Sequence, residues 1–400
     1  MIARNPAAKH STKAAGPGMG SANLCPMSPH TPFNRRQWFK SSAAALAGIT
    51  FAARLRADTT PSAPAGVAPG EPVRLSLNEN PFGPAPAAVA AMQARAADVC
   101  RYATMDATTL INTIAAKEGV EASQIVFGAG SGEVLEAYGA LLGSPAGEVV
   151  CANPTYGQLT NAMKRRGSTL VEIPLNERKE HDLAAMAAAV TATTQCVYVC
   201  NPNNPTGTTV DAERLRQFVR EVAPRTPVFV DEAYLECADD FAASTLVGLV
   251  GEGLNLTIAR TFSKIHGLAG QRIGYAVTTP EMAAKIRAHV IGGPNLLAYV
   301  GAQANLDDSG YVDRTREKIK AGREELLALL RELGRAYAEP QGNFVFFHTG
   351  RPIEEFRTAM RAEGVIVGRP FPPYLEWCRI SIGTPEEMGV AHAALRKVLG

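Results

Sequence analysis

Seven short apolar runs between residues 125 and 277 constrain the fold of this chain more than any other feature. The runs are strand-like, helical segments separate them, and they cover residues 125–127, 148–151, 169–173, 197–200, 228–230, 256–258 and 273–277. Strands that alternate with helices form a mostly parallel sheet with helices on both faces. The sequence therefore predicts an α/β fold with a large domain over residues 105–295.

A smaller C-terminal domain is predicted over residues 296–400. A charged helix at residues 311–333 leads into it, and three strand-like runs follow at residues 343–347, 365–367 and 379–382. This mixture of elements indicates an α+β domain. A chain of 400 residues that is 46% hydrophobic can bury a core large enough for both units.

Lys264 lies in the most informative stretch of the chain. Residues 260–275 read R-T-F-S-K-I-H-G-L-A-G-Q-R-I-G-Y, so the lysine stands among hydroxyl residues with Arg272 eight positions later. A turn that delivers a lysine amine suits covalent attachment of an aldehyde cofactor. Thr261, Ser263 and Arg272 are suitable donors to a phosphate on that cofactor. The same pattern also fits a helix start with a surface lysine.

Polar residues follow two of the predicted strands directly. The segment N-P-N-N-P-T-G, which contains Asn204, follows residues 196–200, and residues 228–230 lead into Asp231 and Tyr234. Ligands of open α/β sheets bind beyond the carboxyl ends of the strands. An acid at that place can pair with the pyridine nitrogen of pyridoxal phosphate and make the ring an electron sink. Asn204 and Tyr234 can donate to the phenolate oxygen of the same ring.

These motifs together resemble a known family. The ordered set N-P-N-N-P-T-G, V-D-E-A-Y and T-F-S-K-x-x-G-L-A-G-x-R-x-G-Y is similar to that of fold-type I pyridoxal-phosphate aminotransferases, above all to the histidinol-phosphate aminotransferase group. The resemblance extends from about Leu75 to the C-terminus. It implies pyridoxal 5'-phosphate as cofactor, a small-molecule amino donor and a 2-oxo acid as substrates, and a homodimer.

Two further segments carry the resemblance towards the N-terminus. Residues 77–84, L-N-E-N-P-F-G-P, resemble the family's N-terminal arm, which closes over the substrate, and this makes Asn80 and Phe82 candidate substrate contacts. The segment N-P-T-Y, which ends at Tyr156, matches the family's tyrosine that stacks on the cofactor ring. A tyrosine of the buried core is the alternative interpretation of Tyr156.

A glycine-rich turn follows the first strand of the large domain. Residues 128–133 read G-A-G-S-G-E and open a helix with apolar periodicity, and the N–H groups and dipole of a helix start suit a phosphate. Its position in the order of motifs makes four of its residues candidate cofactor contacts: Gly130, Ser131, Gly132 and Glu133.

Three residues outside the main motifs complete the predicted site. Arg379, in W-C-R-I-S-I-G-T, resembles the arginine that grips the substrate α-carboxylate, which its planar fork can bind bidentately. Arg369 matches a second arginine near the distal end of the substrate, although an exposed strand-end arginine fits as well. Tyr102 resembles the tyrosine that reaches across the dimer to the neighbour's cofactor phosphate, but the residues after it depart from the family's continuation.

The catalytic roles follow from the resemblance. Lys264 holds the cofactor and then moves a proton between substrate and cofactor, first as general base and then as general acid. Asp231 keeps the ring protonated, and Tyr234 is the third candidate catalytic residue.

Other activities remain open at this point. Histidinol phosphate has no carboxylate, so its phosphate would have to occupy the arginine pocket, and an exported aminotransferase for an aromatic or other amino acid is the alternative. Fold-type I enzymes also include decarboxylases and lyases. A catalytically silent regulator would normally carry a DNA-binding module, and the N-terminal extension shows no helix-turn-helix pattern.

Composition argues against several kinds of partner. A net charge of +2 and the lack of a basic stripe interleaved with aromatics argue against nucleic acid. The cysteines lack metal-ligand spacing with histidine, so no metal site is predicted. No apolar run reaches the length of a transmembrane helix.

The first 57 residues form a predicted leader. Residues 1–33 are rich in Ala, Gly, Pro, Ser and Thr without periodicity, which is typical of disorder. Arg35, Arg36 and the following W-F-K precede a weakly apolar, alanine-rich run, and this order resembles a twin-arginine export signal that is cleaved near Ala57. It predicts a periplasmic protein without membrane contact after cleavage. The alternative is a cytoplasmic enzyme with an amphipathic N-terminal extension. Met19 or Met27 is an alternative start of the chain, and either would keep the paired arginines. Residues 58–104 are interpreted as a linker followed by the N-terminal arm.

Overall fold

The computed structural model describes residues 71–400. The predicted leader and the first part of the linker therefore lie outside the described residues. The strands are β1 (Val73–Arg74), β2 (Ile125–Gly128), β3 (Glu148–Asn153), β4 (Thr169–Pro174), β5 (Thr194–Cys200), β6 (Val228–Asp231), β7 (Leu256–Thr261), β8 (Gly274–Val277), β9 (Phe344–His348), β10 (Val365–Ile366) and β11 (Trp377–Ser381).

The helices alternate with these strands through the large domain and flank them in the small one. They are α1 (Pro86–Ala94), α2 (Thr104–Glu118), α3 (Ser131–Leu142), α4 (Gln158–Lys164), α5 (Leu183–Ala188), α6 (Ala212–Val222), α7 (Phe241–Ser244), α8 (Pro280–Arg287), α9 (Leu296–Asp307), α10 (Tyr311–Glu332), α11 (Ile353–Ala362) and α12 (Pro385–Leu399). Short 3₁₀ turns occur at Ala96–Cys100, Ala122–Gln124, Leu235–Cys237, Val247–Glu252 and Ala269–Gln271.

The predicted seven-stranded sheet is confirmed, with one reversed strand. Its order is β2-β8-β7-β6-β5-β3-β4, and β8 runs antiparallel to both of its neighbours while the other pairs are parallel. Because β8 is reversed, its first residue, Gly274, pairs with the last residues of β2 and β7, Gly128 and Thr261. The start of β8 therefore lies at the same edge of the sheet as the carboxyl ends of the other strands.

Strand β5 shows how the sheet is buried on both faces. Val197 and Val199 pack into the core cluster on one face, and Cys196, Tyr198 and Cys200 into the cluster on the other. This is the two-residue alternation of a strand covered by helices on both sides. Cys196 and Cys200 are buried together on one face of the strand. All six cysteines in the described part of the chain are free thiols.

The boundary between the domains differs from the predicted one at residues 295/296. Helix α9 belongs to the large domain, since Ala298 and Ala302 are part of the core beneath its sheet. Its small residues allow close packing: a Cβ on Gly301 would lie 2.8 Å from the sulfur of Met92 in α1. The small domain proper therefore begins with α10.

The segment before the N-terminal arm is part of the small domain. Strand β1 pairs in parallel with β10, and Val73 and Leu75 pack into the core of the small domain. Strands β9 and β11 form the antiparallel pair of that domain.

In residues 71–400, none of the helices combines the length and apolar character needed to cross a membrane. The same residues contain no group of three His, Cys, Asp or Glu side chains placed to hold a metal ion.

Candidate active site

A cavity of about 290 Å³ lies at the carboxyl ends of the central strands, where they face the small domain. Most of the predicted site residues line it: Ser131, Gly132, Tyr156, Asn204, Asp231, Tyr234, Thr261, Ser263, Lys264, Arg272, Arg369 and Arg379. The fold therefore brings into one cavity residues that are spread over most of the chain.

Lys264 projects into this cavity from the loop that follows β7. Its Nζ donates to the backbone oxygens of Leu77, at 3.3 Å, and Asn78, at 3.1 Å, and lies 5.2 Å from the ring centroid of Tyr234. Burial, together with the positive charge of Arg379, lowers the pKa of this amine to about 8. A larger neutral fraction makes the amine a better nucleophile and proton acceptor near neutral pH.

Asp231, at the end of β6, is a buried acid without a cationic partner. Its oxygens accept hydrogen bonds from the N–H of Ala233 and the hydroxyl of Tyr198, both at 3.1 Å. No Lys, Arg or His among the described residues lies within 4 Å of the carboxylate. Burial raises the pKa of Asp231 to about 6. A buried negative charge without a counter-charge is unfavourable, so the position suits a ligand that brings a positive charge.

The end of the cavity at β2, β7 and β8 is built for an anion. Arg272 adopts the left-handed conformation, with φ of 57°, and its Nη1 donates to the Oγ of Ser263 at 3.3 Å. Gly130 also has a positive φ, of 80°, and a Cβ there would collide with the Arg272 guanidinium. A Cβ on Gly274 would collide with the backbone N of Ser131, the first residue of α3. Glycines at both positions therefore let a guanidinium and a helix N-terminus approach one point, as a phosphate site requires.

Tyr156 and Asn204 form other parts of the wall. The ring of Tyr156 lines the cavity, is 38% exposed and donates from its hydroxyl to Gln158 at 2.7 Å, so it is not a residue of the buried core. The Nδ2 of Asn204 donates to the hydroxyl of Tyr234 at 3.3 Å. Asn78 donates to the same hydroxyl at 3.1 Å. Tyr234 is thus oriented by two amides from different segments.

Two arginines form the small-domain wall. Arg379 in β11 is buried and donates to the Oδ1 of Asn204 at 2.6 Å and to the backbone oxygen of Ser76 at 2.7 Å, while its buried Nε has no partner. The guanidinium carbons of Arg369 and Arg379 lie 4.4 and 5.0 Å from the ring centroid of Phe371. Burial lowers the pKa of Arg379, and the charge of Arg369 adds to this effect.

Arg379 is buried and Arg369 is exposed, and neither has a carboxylate partner in the part of the chain that the structure describes. Two uncompensated guanidinium groups at one wall suit a ligand with anionic groups.

Glu133 differs from its predicted role as a cofactor contact. Its carboxylate accepts from the N–H of Ala129 at 2.6 Å and from three successive N–H groups at residues 291–293, at 2.8–3.1 Å. It does not line the cavity. The side chain turns back from the first turn of α3 because these four backbone donors satisfy it there, and it fixes the loop before α9.

Asn80 and Phe82 also differ from their predicted role as substrate contacts. Asn80 donates to the backbone oxygen of Ile265 at 2.7 Å, and Phe82 packs in a separate cluster with Ile265. Leu77 lines the cavity instead, and Asn78 reaches the hydroxyl of Tyr234. Asn78 has a positive φ of 55°, which turns the chain so that the residues after it face away from the cavity.

Tyr102 does not contact the cavity of its own chain and is fully exposed. Its role towards a second subunit stays a prediction. Three further residues of the site were not predicted from the sequence: Tyr198, which donates to Asp231, and Gln158 and Phe371, which line the cavity. Of these three, only Tyr198 could have been predicted from the sequence. It lies on the same strand face as Cys200, which is next to Asp231.

Comparison with known proteins gives concordant matches. The family model of class I and II aminotransferases matches residues 71–395. A histidinol-phosphate aminotransferase of Moorella thermoacetica is 37% identical over 332 residues, which are 82% of this chain and 85% of the relative. Another, of Akkermansia muciniphila, is 38% identical over 339 residues, 84% of this chain and 92% of the relative.

The match extends to three dimensions. A crystal structure of histidinol-phosphate aminotransferase from Sinorhizobium meliloti in complex with pyridoxal-5'-phosphate aligns with a TM-score of 0.75 at 29% identity. The alignment covers 86% of this chain and 97% of that one.

Proposed function

The chain belongs to the class I and II aminotransferases, as its motifs predicted, and we propose that it binds pyridoxal 5'-phosphate. We further propose that it takes the amino group from a donor with an anionic tail. Histidinol phosphate is the first candidate donor. The observation that carries the substrate proposal is the pair of uncompensated arginines, Arg369 and Arg379, on one wall of the cavity.

The residues of the cavity fit this cofactor. Gly130 and Gly274 allow the Arg272 guanidinium and the N-terminus of α3 to approach closely, and a phosphate would bind to these donors. The buried carboxylate of Asp231 lacks the positive charge that a protonated pyridine nitrogen would bring. Lys264 lines the same cavity, and the pKa of its amine is lowered to about 8. When bound, pyridoxal phosphate supplies an aldehyde that condenses with amines and a ring that accepts electrons from the substrate α-carbon.

The chain's own residues then divide the work of the reaction. The Lys264 amine would take a proton from the substrate α-carbon as general base and then, as general acid, deliver it to the C4′ carbon that the cofactor provides. Asp231 keeps a proton on the ring nitrogen by holding a negative charge beside it in a buried place. The hydroxyl of Tyr234, oriented by Asn78 and Asn204, holds the ring's oxygen in place.

The small-domain wall selects the substrate. The guanidinium carbons of Arg369 and Arg379 lie 4.4 and 5.0 Å from the ring centroid of Phe371, and both residues line the cavity, so a carboxylate or phosphate bound there would meet more than one charged donor. Histidinol phosphate brings one dianionic phosphate and a dicarboxylic 2-oxo acid brings two carboxylates. Both therefore match a wall with two positive charges.

A homodimer is part of the proposal. Val99, Tyr102 and Met105 expose 62%, 101% and 76% of their surface within one short segment, and such a group of exposed large side chains is typical of an interface. We assign Tyr102 to the cofactor phosphate of the partner subunit. Mixing Lys264→Ala subunits with Tyr102→Ala subunits tests this, because a hybrid dimer contains one site in which both residues are intact. Activity that does not rise on mixing would contradict the assignment.

Export to the periplasm is proposed from the sequence of the leader alone. It favours the second candidate function, an exported aminotransferase for an aromatic or other amino acid. A reporter that must fold before translocation, fused to residues 1–60, is expected to reach the periplasm. The same fusion with Arg35→Lys and Arg36→Lys is expected to stay in the cytoplasm. Equal distribution of the two fusions would favour a cytoplasmic enzyme.

A screen of amino donors separates the candidate substrates. The purified protein, loaded with pyridoxal phosphate, is mixed with histidinol phosphate, glutamate or an aromatic amino acid, and conversion of the cofactor to pyridoxamine phosphate is followed by absorbance. Histidinol phosphate is expected to react at the lowest concentration. A preference for an aromatic amino acid would support the second function, and release of carbon dioxide or an elimination product would indicate a decarboxylase or a lyase.

A further inference from the structure

A buried chain of hydrogen bonds links the N-terminal arm, residues 76–85, to the loop that carries Lys264. The backbone N–H of Ala85 donates to the Oδ1 of Asn305 in α9, at 2.8 Å. The Nδ2 of Asn305 lies 2.9 Å from the Nδ1 of His266, and the Nε2 of His266 lies 3.0 Å from a carboxylate oxygen of Glu236. All four residues are more than nine-tenths buried.

The chemistry of these groups allows one arrangement of protons. The N–H of Ala85 can only donate, so Asn305 must turn its oxygen towards it and its NH₂ towards His266. An NH₂ group also only donates, so the Nδ1 of His266 must accept and carries no proton. The remaining proton of the neutral ring is therefore on Nε2, where it is donated to Glu236.

The N-terminal arm, which these hydrogen bonds anchor, covers Lys264. The backbone oxygens of residues 77 and 78 accept from the Lys264 amine, and Asn78 also donates to Tyr234. One residue earlier, the oxygen of Ser76 accepts from Arg379. A displacement of the arm would therefore disturb the lysine, the tyrosine and the substrate arginine together.

We propose that His266 is a positioning residue, whose neutral Nε2–H form holds the N-terminal arm over Lys264 through Asn305. The proposal rests on the proposed role of Lys264 as the cofactor-binding lysine. His266 does not line the cavity and touches neither the reacting atoms nor the cofactor site. Its effect is transmitted through the amide of Ala85, which is fully buried and has the side chain of Asn305 as its acceptor. A buried N–H group without an acceptor costs free energy in the closed conformation, and this favours opening of the segment to water.

Two substitutions of His266 separate its two hydrogen bonds. His266→Asn places an amide oxygen near the position of Nδ1, so it can still accept from Asn305 while Glu236 loses a donor. His266→Gln places its amide near the position of Nε2, so it can still donate to Glu236 while Asn305 loses its acceptor. Asn305→Leu removes the side chain that bonds to both Ala85 and His266, and so interrupts the hydrogen-bond chain at its centre. His348→Gln is the matched control, because His348 is part-exposed and forms a 3.2 Å contact with Glu376 away from the cavity.

Amide hydrogen exchange at Ala85 in the full-length protein, with and without added pyridoxal phosphate, is the direct measurement. We expect exchange about tenfold faster in His266→Gln and Asn305→Leu, and within about twofold of the unchanged protein in His266→Asn and His348→Gln. In steady-state assays the two loosened variants should both raise KM for the donor and lower kcat, because the arm contacts Arg379 as well as Lys264.

The outcomes distinguish this proposal from the function itself. Equal exchange at Ala85 in His266→Gln and His266→Asn, or an unchanged rate in both His266→Gln and Asn305→Leu, would overturn the proposal. Borohydride reduction that fixes the cofactor on another lysine would contradict the proposed function instead, whatever the exchange rates show.

Discussion

The two walls of the cavity differ in how the chain builds them. The large-domain wall consists of strand ends, with Asp231 closing β6 and Thr261 closing β7. The small-domain wall combines Arg369 and Arg379 with an arm from the other end of the described chain. Sheet register fixes the first wall, whereas the second depends on how separate segments pack.

The electrostatics of the walls differ in the same way. The large-domain wall presents a buried carboxylate, Asp231, without a cation, and the small-domain wall presents two guanidinium groups without a carboxylate. A pyridinium ring would bring the positive charge that the large-domain wall lacks. An anionic substrate would bring the negative charge that the small-domain wall lacks. Substitutions on one wall are therefore expected to affect cofactor binding or turnover, and substitutions on the other are expected to affect the choice of substrate.

The largest effect is expected from Lys264→Ala. The variant loses both the nucleophile that attaches the cofactor and the group that moves the proton, so turnover should fall by at least about a thousandfold. Borohydride should no longer fix the cofactor to the protein, as followed by mass spectrometry of the peptide around position 264. Lys179→Ala, which replaces a lysine beside Tyr374 and Trp377 outside the cavity, serves as the control.

Asp231→Asn should reduce turnover by about a hundredfold, because the ring nitrogen loses its counter-charge. The phosphate contacts near Arg272 are unchanged, so cofactor should still bind, as measured by equilibrium dialysis. Turnover within about twofold of the unchanged protein would mean that Asp231 is only a strand-end acid.

Arg379→Ala should lower kcat/KM by about a hundredfold for every anionic donor, because a buried charge-assisted contact is lost. Arg379→Lys keeps the charge but not the fork, and is expected to recover only part of this loss. If a donor without a carboxylate or phosphate is affected to the same extent, the residue acts on the structure of the wall rather than on the substrate.

Asp231→Asn should also raise the free energy of unfolding of the cofactor-free protein, by an amount that grows with pH. Burial raises the pKa of Asp231 to about 6, so the folded state holds this proton more tightly than the unfolded chain does. The stabilisation of the folded state that comes from this tighter proton binding is fully present below about pH 4, and it is lost as the pH rises through 6. Above that pH the variant should exceed the unchanged protein in free energy of unfolding by about 3 kcal/mol, a gap of about 2 pKa units. Urea unfolding at pH 5 and pH 8 measures it, and a gap that does not widen between them contradicts the explanation.

The smallest and most selective effect is expected from Arg369→Ala. Kinetics with paired donors should show a loss of about tenfold for donors with an acidic or phosphorylated tail and little change for those with an apolar tail. Equal losses for all donors in Arg369→Ala, with selective losses in Arg379→Ala, would mean that the two roles are reversed.

The large-domain wall was largely predictable from the sequence, for a physical reason. Asp231 and Asn204 directly follow apolar strands, and the carboxyl ends of parallel strands meet at one edge of the sheet. Local motifs therefore fixed their position. The reversal of β8 was not predictable, because a short buried strand has the same pattern in either direction.

The arm and the domain boundary were less predictable. The left-handed turn at Asn78 decides which arm residues face the cavity, and nothing in L-N-E-N-P-F distinguished Asn78 from Asn80. The carboxylate of Glu133 reaches back to a loop far along the chain, a contact that no local pattern indicates. Helix α9 joined the large domain because its alanines and glycine fit closely against α1, which depends on tertiary packing.

The reversed strand β8 has a consequence for the order in which a newly made chain matures. Strand β2 is synthesised early, but its partner in the sheet is β8, whose Gly274 pairs with Gly128. The proposed phosphate site combines the turn after β2, the end of β7 and the loop before β8, so it cannot form until the ribosome has completed almost the entire large domain. A nascent chain that ends before residue 274 can bury much of its sheet and still have no place to hold the cofactor.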